Sequence, residues 1–292
     1  MRLAFCGSPS FAVPVLDALI DAGHDVACVV ARPDRRRGRG GHATPTPVKA
    51  AALARGIGVI ERVGDLASMK LDYGVVVAFG AMVPPSVLEH LTMCNLHFSL
   101  LPRWRGAAPV ERAILAGDEV TGVCAMRLEP TLDTGPVYAR ATCDVDDKDL
   151  SALRAELVAL GTDLLVDLLV KGPDGLPEPV AQLGEPTYAK KVTDEELELD
   201  FRRPARELAR VVRLGRARTI ANGRRLVVRA CEVLDVAVGQ PGDLVGDVVA
   251  CGEGALRLLA IVPEGRREMT PAEWTRGLRD RVPTHLGETH GP

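Results

Sequence analysis

Arg2-Leu3-Ala4-Phe5-Cys6-Gly7-Ser8-Pro9, then residues 11–22, then Val26-Ala27-Cys28-Val29-Val30 decide the architecture. The first and third segments are short apolar runs bounded by Gly, Pro or Asp, which is how buried strands read. The segment between them carries its apolar residues at helical spacing, so the whole is a strand–helix–strand unit. The pattern continues outward. Residues 74–79 and 93–98 are further apolar runs, and residues 47–55 and 84–91 are helical segments opened by proline, which an early helical position tolerates. Residues 109–116 read as another helix, 122–128 and 137–141 as strands, and 150–170 as a long helix. Alternation of this kind predicts an α/β fold with a mostly parallel, Rossmann-like sheet covered by helices on both faces.

The second half changes character. Residues 171–179 are a Gly- and Pro-rich loop, and residues 188–204, acidic and then basic, have no clean period and read as a linker. After a helix over 205–214 the chain turns β-like. Residues 225–230, 244–250 and 256–262 are separated by glycine-bearing turns, as in a small barrel or sandwich. The expected division is 1–187, a linker over 188–204, and a smaller second domain over 205–292. A chain of 292 residues is long enough for both cores.

Composition excludes several classes. With 47% apolar and 26% charged residues the chain is neither disordered nor fibrous. It has no apolar run of the roughly 20 residues a membrane helix needs. The N-terminus reaches Gly7 and Pro9 too soon for a signal peptide, and seven cysteines without C-x-x-C spacing suggest neither a zinc site nor a disulfide framework. A cytoplasmic protein without metal is the expectation. The net charge of −3 conceals an imbalance: −7 over residues 1–199 and +4 over 200–292. Residues 32–49 hold six basic side chains against Asp34 alone, and residues 201–229 hold ten arginines against Glu207 alone. These stretches fit either a polyanionic partner or an ordinary solvated surface.

The chemistry concentrates in Asn95-Leu96-His97-Phe98-Ser99-Leu100-Leu101-Pro102 and the following Arg103-Trp104-Arg105-Gly106-Ala107-Ala108-Pro109. Asn95 and His97 are two apart at the end of a strand, so their side chains share a face, and the carboxyl ends of such strands are where open α/β sheets bind ligands. An amide N–H and an imidazole can together stabilise the oxyanion of an acyl transfer. Read alone, such a pair is more often a strand-end cap; the adjoining loop of Arg, Trp and Pro favours the functional reading. Leu132-Asp133-Thr134-Gly135 lies between two strands, and Asp133 is a candidate partner for His97, although the same letters make an ordinary turn. Gly7-Ser8-Pro9 matches neither G-x-G-x-x-G nor the P-loop, which leaves it a tight turn.

Taken together, Asn95-x-His97-x-Ser99-Leu100-Leu101-Pro102, Arg105-Gly106-Ala107-Ala108-Pro109 and Leu132-Asp133-Thr134-Gly135 resemble the folate-dependent formyltransferases, and within them the branch that acts on methionyl-tRNA. The likeness extends to Phe5-Cys6-Gly7-Ser8-Pro9, Arg32-Pro33-Asp34-Arg35, Gly38-Arg39-Gly40 and Thr187-Tyr188-Ala189-Lys190-Lys191. It implies the formyltransferase fold followed by an OB-like β-barrel that helps hold tRNA. It implies Asn95, His97 and Asp133 as the catalytic set, and Ser99, Leu100, Leu101 and Pro102 as the segment against folate. The tRNA-reaching loop of the family falls on Arg35, Arg36, Arg37 and Arg39. The expected reaction is formyl transfer from 10-formyltetrahydrofolate to the methionine α-amino group of initiator methionyl-tRNA, by a monomer. The alternatives are a relative acting on a sugar nucleotide or phosphoribosyl amine, and a catalytically silent RNA-binding relative. Two positions depart from the pattern: Phe98 stands where many relatives have a small residue, and residues 211–222 lack an Asn-Pro-x-Pro-Gly segment.

Overall fold

Seven strands of the first half share one sheet in a computed structural model that describes residues 1–36, 43–236, 239–278 and 281–287. They are β1 (Arg2–Gly7), β2 (Asp25–Val30), β3 (Val59–Ile60), β4 (Tyr73–Val77), β5 (Met93–His97), β6 (Val120–Arg127) and β7 (Val137–Asp144). The spatial order is β7-β6-β5-β4-β1-β2-β3, parallel from β5 to β3. β6 and β7 run antiparallel at the other edge, where β6 pairs with β5 and β7 with β6. Every residue of β4 is buried, as a central strand covered on both faces requires.

The helices are α1 (Val13–Asp21), α2 (Pro47–Ala54), α3 (Pro85–Leu88), α4 (Pro109–Ala116) and α5 (Leu150–Leu169). Thr46 caps α2, its Oγ1 accepting from Lys49 N at 3.3 Å, and Pro47 opens the helix. The expected helix over 11–22 begins later, because Ser10–Ala12 forms a tighter 3₁₀ turn, and that over 84–91 is a single turn. Phe98 is buried with its ring edge-on to Phe11, centroids 5.8 Å apart, so the larger residue at this position is absorbed by an aromatic pair.

The chain divides into two compact units. The first comprises Met1–Val110, Val120–Asp144 and Arg154–Lys190; the second comprises Glu111–Glu119, Val145–Leu153 and Lys191–Pro292. The second unit contains α6 (Ala205–Val212), β8 (Ala217–Ala221), β9 (Arg224–Leu234), β10 (Leu244–Val245), β11 (Val248–Ala250), β12 (Ala255–Pro263) and α7 (Pro271–Leu278). Its strands form an antiparallel sheet in the order β8-β9-β12-β11-β10. α6 buries Ala205, Leu208, Val211 and Val212 and leaves Arg206 exposed. Strand β8 and helix α7 lie in segments for which the sequence pattern predicted no element.

The stretch read as a linker, residues 188–204, is held down along its length. Tyr188–Ala189 pairs in parallel with Arg105–Gly106, and Leu197, Leu199 and Phe201 are buried. Among the described residues, no helix is long and apolar enough to cross a membrane.

Candidate active site

Asn95 and His97 lie in β5, where they pair with Met126 and Cys124 of β6. Strand alternation puts both on one face, as the spacing predicted. Asn95 is half-buried, and His97 is 5% exposed. The route by which Asp133 reaches His97 is less direct. β6 runs against β5, and Leu128 N donates to Met93 O at 2.8 Å, so β6 finishes beside the start of β5. The loop that follows must fold back along the strand to bring Asp133 to its far end.

It does so with Asp133 in the left-handed region, φ 52°, and with Gly135 packed so close that a Cβ there would run into the Arg127 carbonyl. Asp133 Oδ2 ends 3.7 Å from His97 Nδ1, and both side chains are buried. That separation is longer than a hydrogen bond. The same oxygen accepts from Gly106 N at 2.8 Å, which fixes the carboxylate's direction. Gly106, at φ 116°, has the Ala189 carbonyl 2.9 Å from where a Cβ would stand, so only glycine fits there.

His97 Nε2 is 2.9 Å from the carbonyl of Trp104. A carbonyl only accepts, so Nε2 carries a proton and donates. Nδ1 then faces the Asp133 carboxylate. Trp104 is itself placed by strain and contacts: its φ is 61°, its N donates to Thr187 Oγ1 at 2.9 Å, and the Arg103 guanidinium stacks 4.5 Å above its ring. Neither Trp104's carbonyl nor Thr187 stood out as an orienting group in the sequence. A lone threonine in a loop carries no periodic signal.

The Ser99–Pro102 segment follows β5. Ser99 is fully buried, and its hydroxyl donates to Arg103 O at 2.6 Å, closing the turn. Leu101, 1% exposed, packs with Cys124, Met126 and Val137. These two side chains therefore build the loop from inside. Leu100 lies over Gly122, and Leu100 and Pro102 are half-buried.

Of the four loop arginines, Arg35 and Arg36 form a short ladder with Ala43–Thr44. Arg37 and Arg39 lie outside the described residues. Many of the arginines between 202 and 229 are engaged within the protein. Arg202 pairs with Asp200, Arg203 with Glu207, and Arg218 with Asp194 and Glu198. Arg213 donates to the Lys148 and Val145 carbonyls, and Arg229 to that of Gly215. Arg224 and Arg225 instead border a cleft of about 850 Å³, together with Arg266, Arg281 and Trp274. The last three lie beyond the basic stretch picked out in the sequence.

All seven cysteines are thiols. Burial pushes the Cys94 thiol up to about 12 and that of Cys28 up to about 11, so neither is a nucleophile near neutral pH.

Residues 1–169 match the family described as Formyl transferase, and residues 191–279 match Formyl transferase, C-terminal domain. The chain is 45% identical to the methionyl-tRNA formyltransferase of Novosphingobium aromaticivorans, over 98% of this chain and 100% of that one. It is 41% identical to the methionyl-tRNA formyltransferase of Ruegeria pomeroyi, over 95% and 97% respectively. Among solved structures, HypX from Aquifex aeolicus in complex with tetrahydrofolic acid superposes with a TM-score of 0.69 at 16% identity, covering 96% of this chain and 48% of HypX.

Proposed function

The chain belongs to the formyl transferase family, and on that premise we propose that it transfers the formyl group of 10-formyltetrahydrofolate to the α-amino group of methionine on initiator methionyl-tRNA. The observation that carries the reading is the Asp133 carboxylate held by Gly106 N and aimed at His97 at the end of β5. The named relatives, matched over nearly their whole length, favour methionyl-tRNA over a small amine as acceptor.

The folate supplies an activated formyl carbon. An α-amino group has an ordinary pKa of about 7.7–8.0, so part of it is already neutral and nucleophilic near neutral pH. The protein's tasks are to orient the amine against that carbon and to meet the charge that develops on the formyl oxygen. Asn95 offers an amide N–H to that oxygen. His97, anchored through Nε2–H on the Trp104 carbonyl, lines the same site with Nδ1 toward Asp133. Asp133 takes the proton released as the amine becomes an amide, directly or through water, while the bond from the formyl carbon to the folate nitrogen breaks and tetrahydrofolate leaves. The loop over Ser99–Pro102 contributes backbone groups and the exposed parts of Leu100 and Pro102 to the folate. The basic loop with Arg35, Arg36, Arg37 and Arg39 and the cleft with Arg224, Arg225, Arg266 and Arg281 hold the tRNA. Trp274 in that cleft offers an aromatic face for an unstacked base.

Steady-state formylation of charged initiator tRNA tests the assignment. His97→Ala, Asn95→Ala and Asp133→Ala should each lower turnover by about a hundredfold or more with the circular dichroism spectrum unchanged. A well-folded His97→Ala protein that turns over at the parental rate contradicts it.

A further inference from the structure

Gln182 belongs to none of the motifs, yet its side chain joins three parts of the site. Its Nε2 donates to two carbonyls of one loop, Asp133 O at 2.9 Å and Gly135 O at 2.8 Å. Its Oε1 accepts from Arg105 Nε at 3.1 Å and Nη2 at 2.7 Å. Both amide hydrogens and the amide oxygen are used. The circuit closes through Gly106, the residue after Arg105, whose N–H holds the Asp133 carboxylate.

We infer that Gln182 is a positioning residue for Asp133, fixing the backbone from which the carboxylate is aimed at His97. Asp133 sits in a left-handed conformation, which Asp tolerates better than most residues but which is still uncommon and needs support from its surroundings. Gly106 N restrains the carboxylate, while the Asp133 and Gly135 carbonyls are tied through Gln182. Gln182 is itself well fixed for this task. On one side, Val180 exchanges two backbone hydrogen bonds with Val137, at 2.8 and 2.9 Å. On the other, Thr187 N donates to Pro102 O at 3.3 Å, and Tyr188–Ala189 pairs with Arg105–Gly106. A primary amide of this length is required: an ionised Glu accepts from Arg105 but has no N–H for the two carbonyls, and Met fills the volume with neither.

The inference rests on the reading of Asp133 given above, and the experiment separates the two. Formylation kinetics are measured for Gln182→Met, Gln182→Glu, Asp133→Asn and the Gln182→Met/Asp133→Asn double variant, with single turnovers at excess enzyme for the slow ones and urea unfolding alongside. Gln182→Glu keeps the shape and the Arg105 contact, so it remains informative if the Met variant folds poorly. Both Gln182 variants should lose roughly tenfold to a hundredfold in kcat with KM for folate and for tRNA within about twofold. Adding Gln182→Met to Asp133→Asn should change the residual rate by less than about threefold, because the two act through one carboxylate. A parental kcat in both Gln182 variants, a loss confined to KM, or a full multiplicative loss on the Asp133→Asn background overturns the inference alone. Asp133→Asn turning over at the parental rate overturns the reading of the site and this inference with it.

Discussion

Asp133→Asn keeps the size of the side chain, an acceptor for Gly106 N and tolerance of a left-handed backbone, and removes only the charge. It should therefore leave urea stability close to parental while lowering kcat by about a hundredfold. Gly135→Ala makes the complementary change: its Cβ meets the Arg127 carbonyl, so stability should fall by roughly 2 kcal/mol or more and activity with it. Leu101→Ala should cost about 2–5 kcal/mol in urea unfolding, because Leu101 belongs to the core formed with Cys124, Met126 and Val137. A charged residue at 101 would report folding rather than folate affinity for the same reason. Legibility differs sharply between these residues. Asn95 and His97 were readable from strand alternation. The approach of Asp133 to His97 depends on a loop folding back along the strand, so the residues offered Asp133 only as a candidate partner and the resemblance favoured it. Gln182 and Trp104 act through side-chain amide and backbone carbonyl contacts that no spacing encodes.

At the level of elements, the parallel core was legible because buried strands and amphipathic helices each carry a period. Helix α7 was missed although its start signal was present. In Thr270-Pro271-Ala272-Glu273, Glu273 Oε2 accepts from Thr270 N at 2.8 Å and Glu273 N donates to Thr270 Oγ1 at 3.3 Å, with Pro271 opening the helix. Thr270→Ala should destabilise by about 1 kcal/mol in urea unfolding. A second such pair joins Thr193 and Glu196, and there Glu196 also meets Arg112 at 2.5 and 3.0 Å. The Arg112 guanidinium, with the Thr193 N–H, lowers the Glu196 carboxyl to about 2. The folded carboxyl ionises more readily than the unfolded one, so its contribution is complete above the ordinary carboxylate value near 4.3 and is lost as pH falls toward 2. Glu196→Gln should accordingly flatten the decline of stability between about pH 4.5 and 2, read from urea midpoints across that range. The ion pairs and the capping box that hold residues 188–204 have no period, so no element is legible there.

At the scale of the whole molecule, the charge imbalance read from the sequence overstates what is available to a partner. Arg202, Arg203, Arg213, Arg218 and Arg229 make ion pairs or backbone contacts within the protein. The proposal of tRNA binding then rests on the arginines of the cleft, with Arg35, Arg36, Arg37 and Arg39. Replacing those four loop arginines by alanine should raise KM for charged tRNA, lower kcat as well, and leave folate affinity unchanged. Each lost phosphate contact should flatten the salt dependence of tRNA binding by about 0.7–0.9 in the log–log slope. The most direct measurement of the central claim is formyl transfer from 10-formyltetrahydrofolate, followed in parallel with charged initiator tRNA, free methionine and an amino-sugar nucleotide as acceptors. The account predicts rapid N-formylation of the methionyl-tRNA, lost in His97→Ala, and negligible transfer to the two small amines. Rapid formylation of a small amine with the methionyl-tRNA left unmodified would contradict it.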